Sequence, residues 1–218
     1  MVRSLILLRH GRTAYNASGR FQGQIDVPLD SLGLAQAKAA GAHLAQTQEI
    51  TRIVSSDLTR ARQTAEALGG ATGLGVELDP QLREITVGEW EGLTREEVGR
   101  TWPTELQDWF DGVDMRPPGG ESRIESAQRV HRAVERLVEE TPEEATLALV
   151  AHGAVIRGAT ELLLGFDPRA TGALGVLTNA TYALLTPGRH GWVLRQWGGG
   201  TEAVAAAVPL EQESAPVA

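Results

Sequence analysis

The sequence predicts an α/β protein with a mostly parallel central sheet and helices on its faces. Three observations predict it. Short apolar runs alternate with amphipathic helical stretches in the order β-α-β-α-β as far as Leu78, the pattern that builds parallel sheets. Two apolar runs far apart in the chain, "LILLRHG" and "TLALVAHG", end alike in histidine and glycine. The chain of 218 residues is 42% apolar and 22% charged, which suits one large domain with a sizeable core.

Each element follows from local pattern. Arg3 to Leu8 reads as a fully buried strand, because aliphatic residues run without a polar face up to a glycine turn. "DSLGLAQAKAAGAHLAQTQ" then carries Leu34, Ala37, Gly41 and Leu44 at helical spacing, with Asp30 or Ser31 placed to cap it. A strand is expected at Arg52 to Ser55. The helix "DLTRARQTAEALGGATG" after it turns Leu58, Ala61, Ala65 and Leu68 inward and ends near Gly69 and Gly70. Val76 to Leu78 forms a short strand.

From Glu89 to Gly120 the periodicity loosens. Trp90, Trp102, Trp109 and Phe110 sit among charges before "RPPGGES", so this segment is expected to be a lid beside the sheet, its tryptophans serving either local packing or a ligand. Helical spacing resumes from Glu121 to Glu140 through Val130, Val134, Leu137 and Val138. "TLALVAHG" is the clearest buried strand. A helix at Ala154 to Leu164 follows it, and Thr181 to Leu185 and Trp192 to Gln196 form a hairpin turning at "PGRHG". The last twenty or so residues read as a mobile tail.

Composition narrows the function. A net charge of -8 with no basic stripe disfavours nucleic acid. "LILL" meets Arg9 and His10 at once and is too short for a secretory leader or membrane span, so no membrane association and a cytoplasmic location are expected. The absence of cysteine excludes disulfides and thiolate metal sites.

If the two histidine-terminated strands are parallel neighbours, His10 and His152 emerge on the same carboxyl edge, where open α/β sheets place their chemistry. "SSDLTRARQTA" delivers Arg60 from the first turn of a helix on that edge, and "LREITVGEWEG" offers Glu84 just after the short third strand. His43, His131 and His190 lack such flanks and read as structural, and Arg62 reads as a solvated helix residue. Two histidines among arginines make a poor metal site, since added positive charge opposes a cation. A phosphate fits: arginine forks neutralise it, and positive surroundings keep an imidazole neutral and nucleophilic. One histidine would then attack phosphorus while the other stabilises charge. Glu84 would protonate the leaving alcohol and later deprotonate water.

"LLRHGRTAYN", "SSDLTRARQTA", "LREITVGEWEG", "GGES" and "LVAHG", in this order, resemble the signature of the histidine phosphatase superfamily, the phosphoglycerate-mutase-like proteins. The resemblance spans about Val2 to Trp197. It implies a three-layer α/β/α sandwich, with residues 1–197 as one domain, a small lid at about 89–120 and a tail at 198–218. It also implies His10 as the phosphorylated nucleophile, Arg9, Arg60 and His152 as the phosphate pocket, and Glu84 as proton donor. Asn16 matches a phosphate-contacting asparagine, and Gln22 and Gly23 match the loop that closes over substrate. No metal and no cofactor are expected. The expected partner is a small phosphorylated metabolite, with a second copy of the chain in a homodimer as the one macromolecular partner considered.

Within the superfamily, cofactor-dependent phosphoglycerate mutases carry a lysine and paired arginines in the middle insertion. "TREEVGRTWPTELQDWFDGVDMRPPGGES" has no lysine and no such pair, which favours hydrolysis. "RFQGQIDVPL", "GEWEGLT" and "GGESR" look most like the glucosyl-3-phosphoglycerate phosphatases, with broad-specificity and α-ribazole phosphatases close behind. The mutase and a non-catalytic phosphate-binding module stand as alternatives. Gln22, Trp90 and Trp109 are the lid residues expected to receive a sugar.

Overall fold

The computed structural model describes residues 2–169 and 173–206. In chain order the first elements are β1 (Ser4–Arg9), α1 (Ala14–Ser18), α2 (Ser31–Thr47), β2 (Arg52–Ser55), α3 (Thr59–Thr72) and β3 (Val76–Leu78). The rest are α4 (Arg95–Thr101), α5 (Pro103–Phe110), α6 (Arg123–Glu139), β4 (Thr146–Ala151), α7 (Gly153–Leu163), β5 (Tyr182–Gly188), β6 (Gly191–Gly199) and α8 (Thr201–Ala206). Among the described residues one six-stranded sheet forms, in the order β3-β2-β4-β1-β5-β6. The first four strands of that order are parallel, and β5 and β6 close it as an antiparallel hairpin.

The period-two geometry of a strand explains why β1 is apolar throughout. Leu5 and Leu7 pack with Val134 and Leu137 of α6 and Val155 and Ile156 of α7, whereas Ile6 and Leu8 pack with Ala40 and Leu44 of α2 and Ala61, Ala65 and Leu68 of α3. Helices cover both faces, so the three-layer α/β/α sandwich is present. Truncating a fully buried leucine of β1 or β4 to alanine would cost about 2–5 kcal/mol.

Asp30 caps α2 by accepting from Gly33 N at 2.7 Å. The inward stripe of α2 differs from the one the leucines suggest. Ala37, Gly41 and Leu44 are buried as expected, but Leu34 is 49% exposed, and Leu32, Gly33, Gln36 and Ala40 complete the inward face. A Cβ on Gly33 would stand 1.9 Å from Arg12 O, so the backbone after His10 presses directly on this helix and apolarity alone misjudges its face.

The lid has a core of its own. Ile85, Val87, Trp90, Val98, Leu106 and Trp109 are buried together, with Phe21 and Ala154 packed against them. Trp90 is fully buried, 5.7 Å from Trp109 and 5.4 Å from Phe21 between ring centroids. The expectation that Trp90 and Trp109 receive a sugar is therefore corrected, because their rings are spent in the lid's own core with Val98 of α4, Leu106 of α5 and Phe21. Residues 198–206, expected in the tail, are instead structured. β6 runs to Gly199, and α8 buries Val204 in the same cluster as Ala40 and Leu44; residues 207–218 of the expected tail lie outside the described residues. No described helix is long and apolar enough to cross a membrane.

Candidate active site

β1 and β4 are in parallel register with Arg9 opposite Ala151, so the residues that follow them, His10 and His152, leave the sheet at the same level. Their rings meet edge to face at 5.1 Å between centroids. Both are buried, and the backbone N–H of His10 donates to Ala151 O at 3.0 Å.

His10 Nδ1 lies 2.7 Å from the carbonyl oxygen of Gly11. A carbonyl only accepts, so Nδ1 carries the proton and Nε2 keeps its lone pair. Burial, reinforced by the charges of Arg60 and Arg9, holds the His10 pKa well below its ordinary range, which preserves that neutral tautomer. His152 is likewise held well below, by burial and then by Arg60.

Arg60, in the first turn of α3, is completely buried. Its Nε donates to His152 Nδ1 at 3.2 Å, and its two terminal nitrogens donate to Ile25 O and Gly23 O at 2.8 Å each. Burial draws its pKa down to about 10, against the pull of Glu84, Asp26 and Glu91, so it stays charged at neutral pH. Since an arginine can only donate, His152 Nδ1 is an acceptor here, and Nε2–H donates to Ser56 Oγ at 2.9 Å. His152 thus has both ring nitrogens engaged and offers a phosphate no free N–H in this state.

Arg9 donates to Leu177 O at 2.5 Å, while its Nε is buried with no partner. An unpaired buried N–H costs about 1–3 kcal/mol, and an anion would relieve that. Asn16 and Gln22 converge on buried Thr13. Asn16 Oδ1 accepts from Thr13 N and Thr13 Oγ1 at 3.1 Å each, and Gln22 Oε1 accepts from Thr13 Oγ1 at 3.0 Å. Their amide NH2 groups have no protein acceptor among the described residues. Gly23 has φ +51°, and a Cβ there would stand 2.1 Å from Glu91 Oε1, so this loop position requires glycine.

Glu84 follows a short 3-10 turn and reaches across to α7. Its Oε2 accepts from Ala154 N and its Oε1 from Val155 N, both at 3.3 Å. The N-cap of α7 is His152, whose side chain makes no capping bond, so Glu84 supplies the cap from another segment. Its loop is held by Arg129, which donates to the carbonyls of Gln81, Arg83 and Glu84 and, through Nε and one terminal nitrogen, to the carboxylate of Glu121 at 2.9 and 2.8 Å.

All eight residues singled out in the sequence therefore belong to one constellation. His43 instead lies 3.4 Å from Tyr182 OH, and His131 pairs with Glu135 on α6. Sequence reasoning missed Thr13, Ser56, Arg129 and Asn179, whose amide donates to His10 O at 3.1 Å. Thr13 and Ser56 stand inside the quoted motifs and were passed over for their neutral chemistry. Arg129 and Asn179 carry no local signal at all.

The comparisons with known proteins agree with this geometry. The pattern of the histidine phosphatase superfamily (branch 1) matches residues 5–199. A glucosyl-3-phosphoglycerate phosphatase of Mycolicibacterium vanbaalenii is 42% identical over 190 residues, 84% of each chain. A probable phosphoglycerate mutase GpmB of Yersinia pestis is 36% identical over 196 residues, 88% of each chain. Among solved structures, a mycobacterial glucosyl-3-phosphoglycerate phosphatase complexed with VO3 superposes with a TM-score of 0.83 at 40% identity, covering 90% of this chain and 98% of that one. With that match running from the first strand to the end of the last, on a sheet whose two histidine-bearing strands lie side by side, the chain belongs to the histidine phosphatase superfamily.

Proposed function

We propose that this protein is a phosphoric monoester hydrolase that works through a phosphohistidine at His10, with glucosyl-3-phosphoglycerate as its substrate. The observation that carries the reaction is the His10 Nδ1–H bond to Gly11 O, which leaves Nε2 unprotonated on a ring that stands against His152 and within the charge of Arg60 and Arg9. Nε2 attacks phosphorus and the P–O bond to the alcohol breaks. Glu84 gives its proton to the departing oxygen. Water then attacks the phosphoryl group, Glu84 takes the proton, the P–N bond breaks, and inorganic phosphate leaves. Arg9 Nε, Arg60 and the amides of Asn16 and Gln22 stabilise the phosphoryl oxygens through the transfer. His152 joins them once the incoming dianion lets it take a proton and release Arg60 Nε.

The metal-free character of this route rests on charge. Fully buried Arg60 and partly buried Arg9 stand beside the histidines, and their charge repels a cation. The substrate rests on the relatives: the glucosyl-3-phosphoglycerate phosphatase is 42% identical, above the 36% of the mutase. Phosphate release from glucosyl-3-phosphoglycerate tests the reading, with kcat/KM expected about tenfold or more above that for 3-phosphoglycerate, a difference of ~1.4 kcal/mol in transition-state binding. Equal rates on both esters, with aryl phosphates fastest, would leave a broad-specificity phosphatase.

A further inference from the structure

Residues 177–181, which lead into β5, wrap the end of β1 at the point where Arg9 gives way to His10. Leu177 O accepts from the Arg9 guanidinium at 2.5 Å, and Thr181 O accepts from Arg9 N at 3.0 Å. Ala180 N–H is shared between Arg9 O and His10 O at 3.1 Å each. Fully buried Ala180 has φ +57°, in the left-handed region that a residue with a Cβ rarely adopts. Such a conformation persists only where its surroundings hold it, and it gathers at functional sites. The residue before it is Asn179.

Asn179 spends both protons of its amide at this site. Nδ2 donates to His10 O at 3.1 Å and to Asn16 Oδ1 at 3.3 Å. Hydrogen-bond chemistry fixes the direction of each amide. Thr13 N can only donate, so the Asn16 atom facing it at 3.1 Å is the carbonyl oxygen. His10 O can only accept, so the Asn179 atom facing it is the NH2. With its oxygen turned to Thr13 and Asn179, Asn16 turns its NH2 away from both. The Thr13 hydroxyl then has a choice. Its single proton is within reach of Asn16 Oδ1 at 3.1 Å and of Gln22 Oε1 at 3.0 Å. A carbonyl oxygen has two lone pairs, and on Asn16 the donors Thr13 N and Asn179 Nδ2 fill both. The hydroxyl proton is left to Gln22, whose oxygen it holds, so the Gln22 NH2 also faces away from Thr13.

We infer that Asn179 is a positioning residue for phosphoryl transfer: its amide fixes the Asn16 oxygen, releases the Thr13 hydroxyl to Gln22, and so keeps both NH2 groups turned to the phosphoryl oxygens. The inference deepens the reading given under Proposed function and rests on it. Asn179 acts through these neighbours and needs no contact with substrate. Nor is its amide required to hold the segment, because the backbone bonds of Ala180 and Thr181 already pin residues 177–181 to β1.

The test is a double-mutant cycle read by calorimetric binding of vanadate and by steady-state hydrolysis of p-nitrophenyl phosphate. Asn179→Ala should weaken vanadate about tenfold and lower kcat/KM by a similar factor, the scale of one charge-assisted hydrogen bond. In the Asn16→Ala background the same substitution should cost less than about threefold, because no Asn16 amide remains to be turned and Thr13 has only Gln22 to serve. A residue that merely supported the fold would take its full loss in both backgrounds. Asn179→Asp has nearly the same shape but no proton to give at neutral pH, and it should lose at least as much as Asn179→Ala. Equal losses in both backgrounds, wild-type vanadate affinity in Asn179→Asp or in Asn16→Ala, or no vanadate binding in the wild type would overturn the assignment. If Asn179→Ala does not fold, Asn179→Asp runs the same cycle. Calorimetry needs no turnover, so a chain that binds vanadate without hydrolysing esters fails the reading under Proposed function while the cycle still decides the role of Asn179.

Discussion

Arg60 Nε donates to His152 Nδ1 at 3.2 Å, so the arginine expected to grip phosphate and the histidine expected to donate to it are, before substrate arrives, partners of each other. A second tie, from Nε2 to Ser56 Oγ, fixes the ring. The pocket is thus preorganised by mutual contacts that an anion must partly exchange.

Arg60→Lys removes the fork that reaches His152, Ile25 and Gly23 together, and a single ammonium cannot replace three donors in one plane. Turnover should fall about 10²–10³-fold, the scale for losing one preorganised transition-state donor. Steady-state kinetics on an aryl phosphate would show it; a loss below threefold would remove Arg60 from the phosphoryl site.

His10→Ala should abolish both turnover and labelling by a phosphoryl donor, because no other described imidazole at this edge has a free nitrogen lone pair. His152→Ala should leave reduced but measurable turnover. Mapping the acid-labile label by mass spectrometry to any residue but His10 would overturn the assignment.

Glu84 has two separable jobs. As proton donor it should be worth about 10²–10⁴ in kcat on alkyl esters, so Glu84→Gln should lose that much there and distinctly less on aryl esters, whose leaving groups need little protonation. As the cap of α7 it should be worth about 1 kcal/mol, so Glu84→Ala should unfold at lower denaturant than Glu84→Gln, which keeps an acceptor oxygen. Equal kinetic losses on both ester types would count against the first job, and equal stabilities against the second.

The pH dependence of stability follows from the two histidines. In the unfolded chain they take up protons below their ordinary value of 6.5, while in the native state burial and Arg60 keep them neutral to well below it. The unfolded state therefore binds more protons as pH drops, and native stability is lost as pH falls below about 6.5. Between pH 7.5 and 5.5 the loss should be about 1.4 kcal/mol per histidine in phosphate-free buffer, and His10→Ala should lose about half as much as wild type. Urea midpoints that do not move across this range would refute the buried, neutral assignment.

Phosphatase and mutase separate in one incubation. With 3-phosphoglycerate and catalytic 2,3-bisphosphoglycerate, little 2-phosphoglycerate should form, since the lid segment has no lysine and no arginine pair to hold a second phosphate. Vanadate, which adopts five-coordinate geometry at a phosphoryl site, should inhibit, and EDTA should not. Efficient conversion to 2-phosphoglycerate would establish the mutase instead.

Much of this was legible in the chain itself. β1 and β4 are apolar on both faces, so they had to be central and covered by helices. Each ends in histidine and glycine, so two imidazoles at one edge followed once the strands were neighbours. Arg60 and Glu84 lie in quoted motifs that local pattern places near that edge. What the sequence could not decide was set by contacts between distant segments. The tryptophans of the lid read equally as ligand platform or core, and only the packing of Trp90 against Phe21 and Trp109 settles them as core. Leu34 was misplaced because the inward face of α2 is chosen by how closely the Arg12 backbone approaches Gly33, a steric fact that hydrophobicity does not encode. Arg129 holds the Glu84 loop only because α6 lies beside it. One-dimensional pattern reports which residues avoid water and which carry charge; which charges meet is decided by backbone approach distances that exist only after the sheet and its helices have packed.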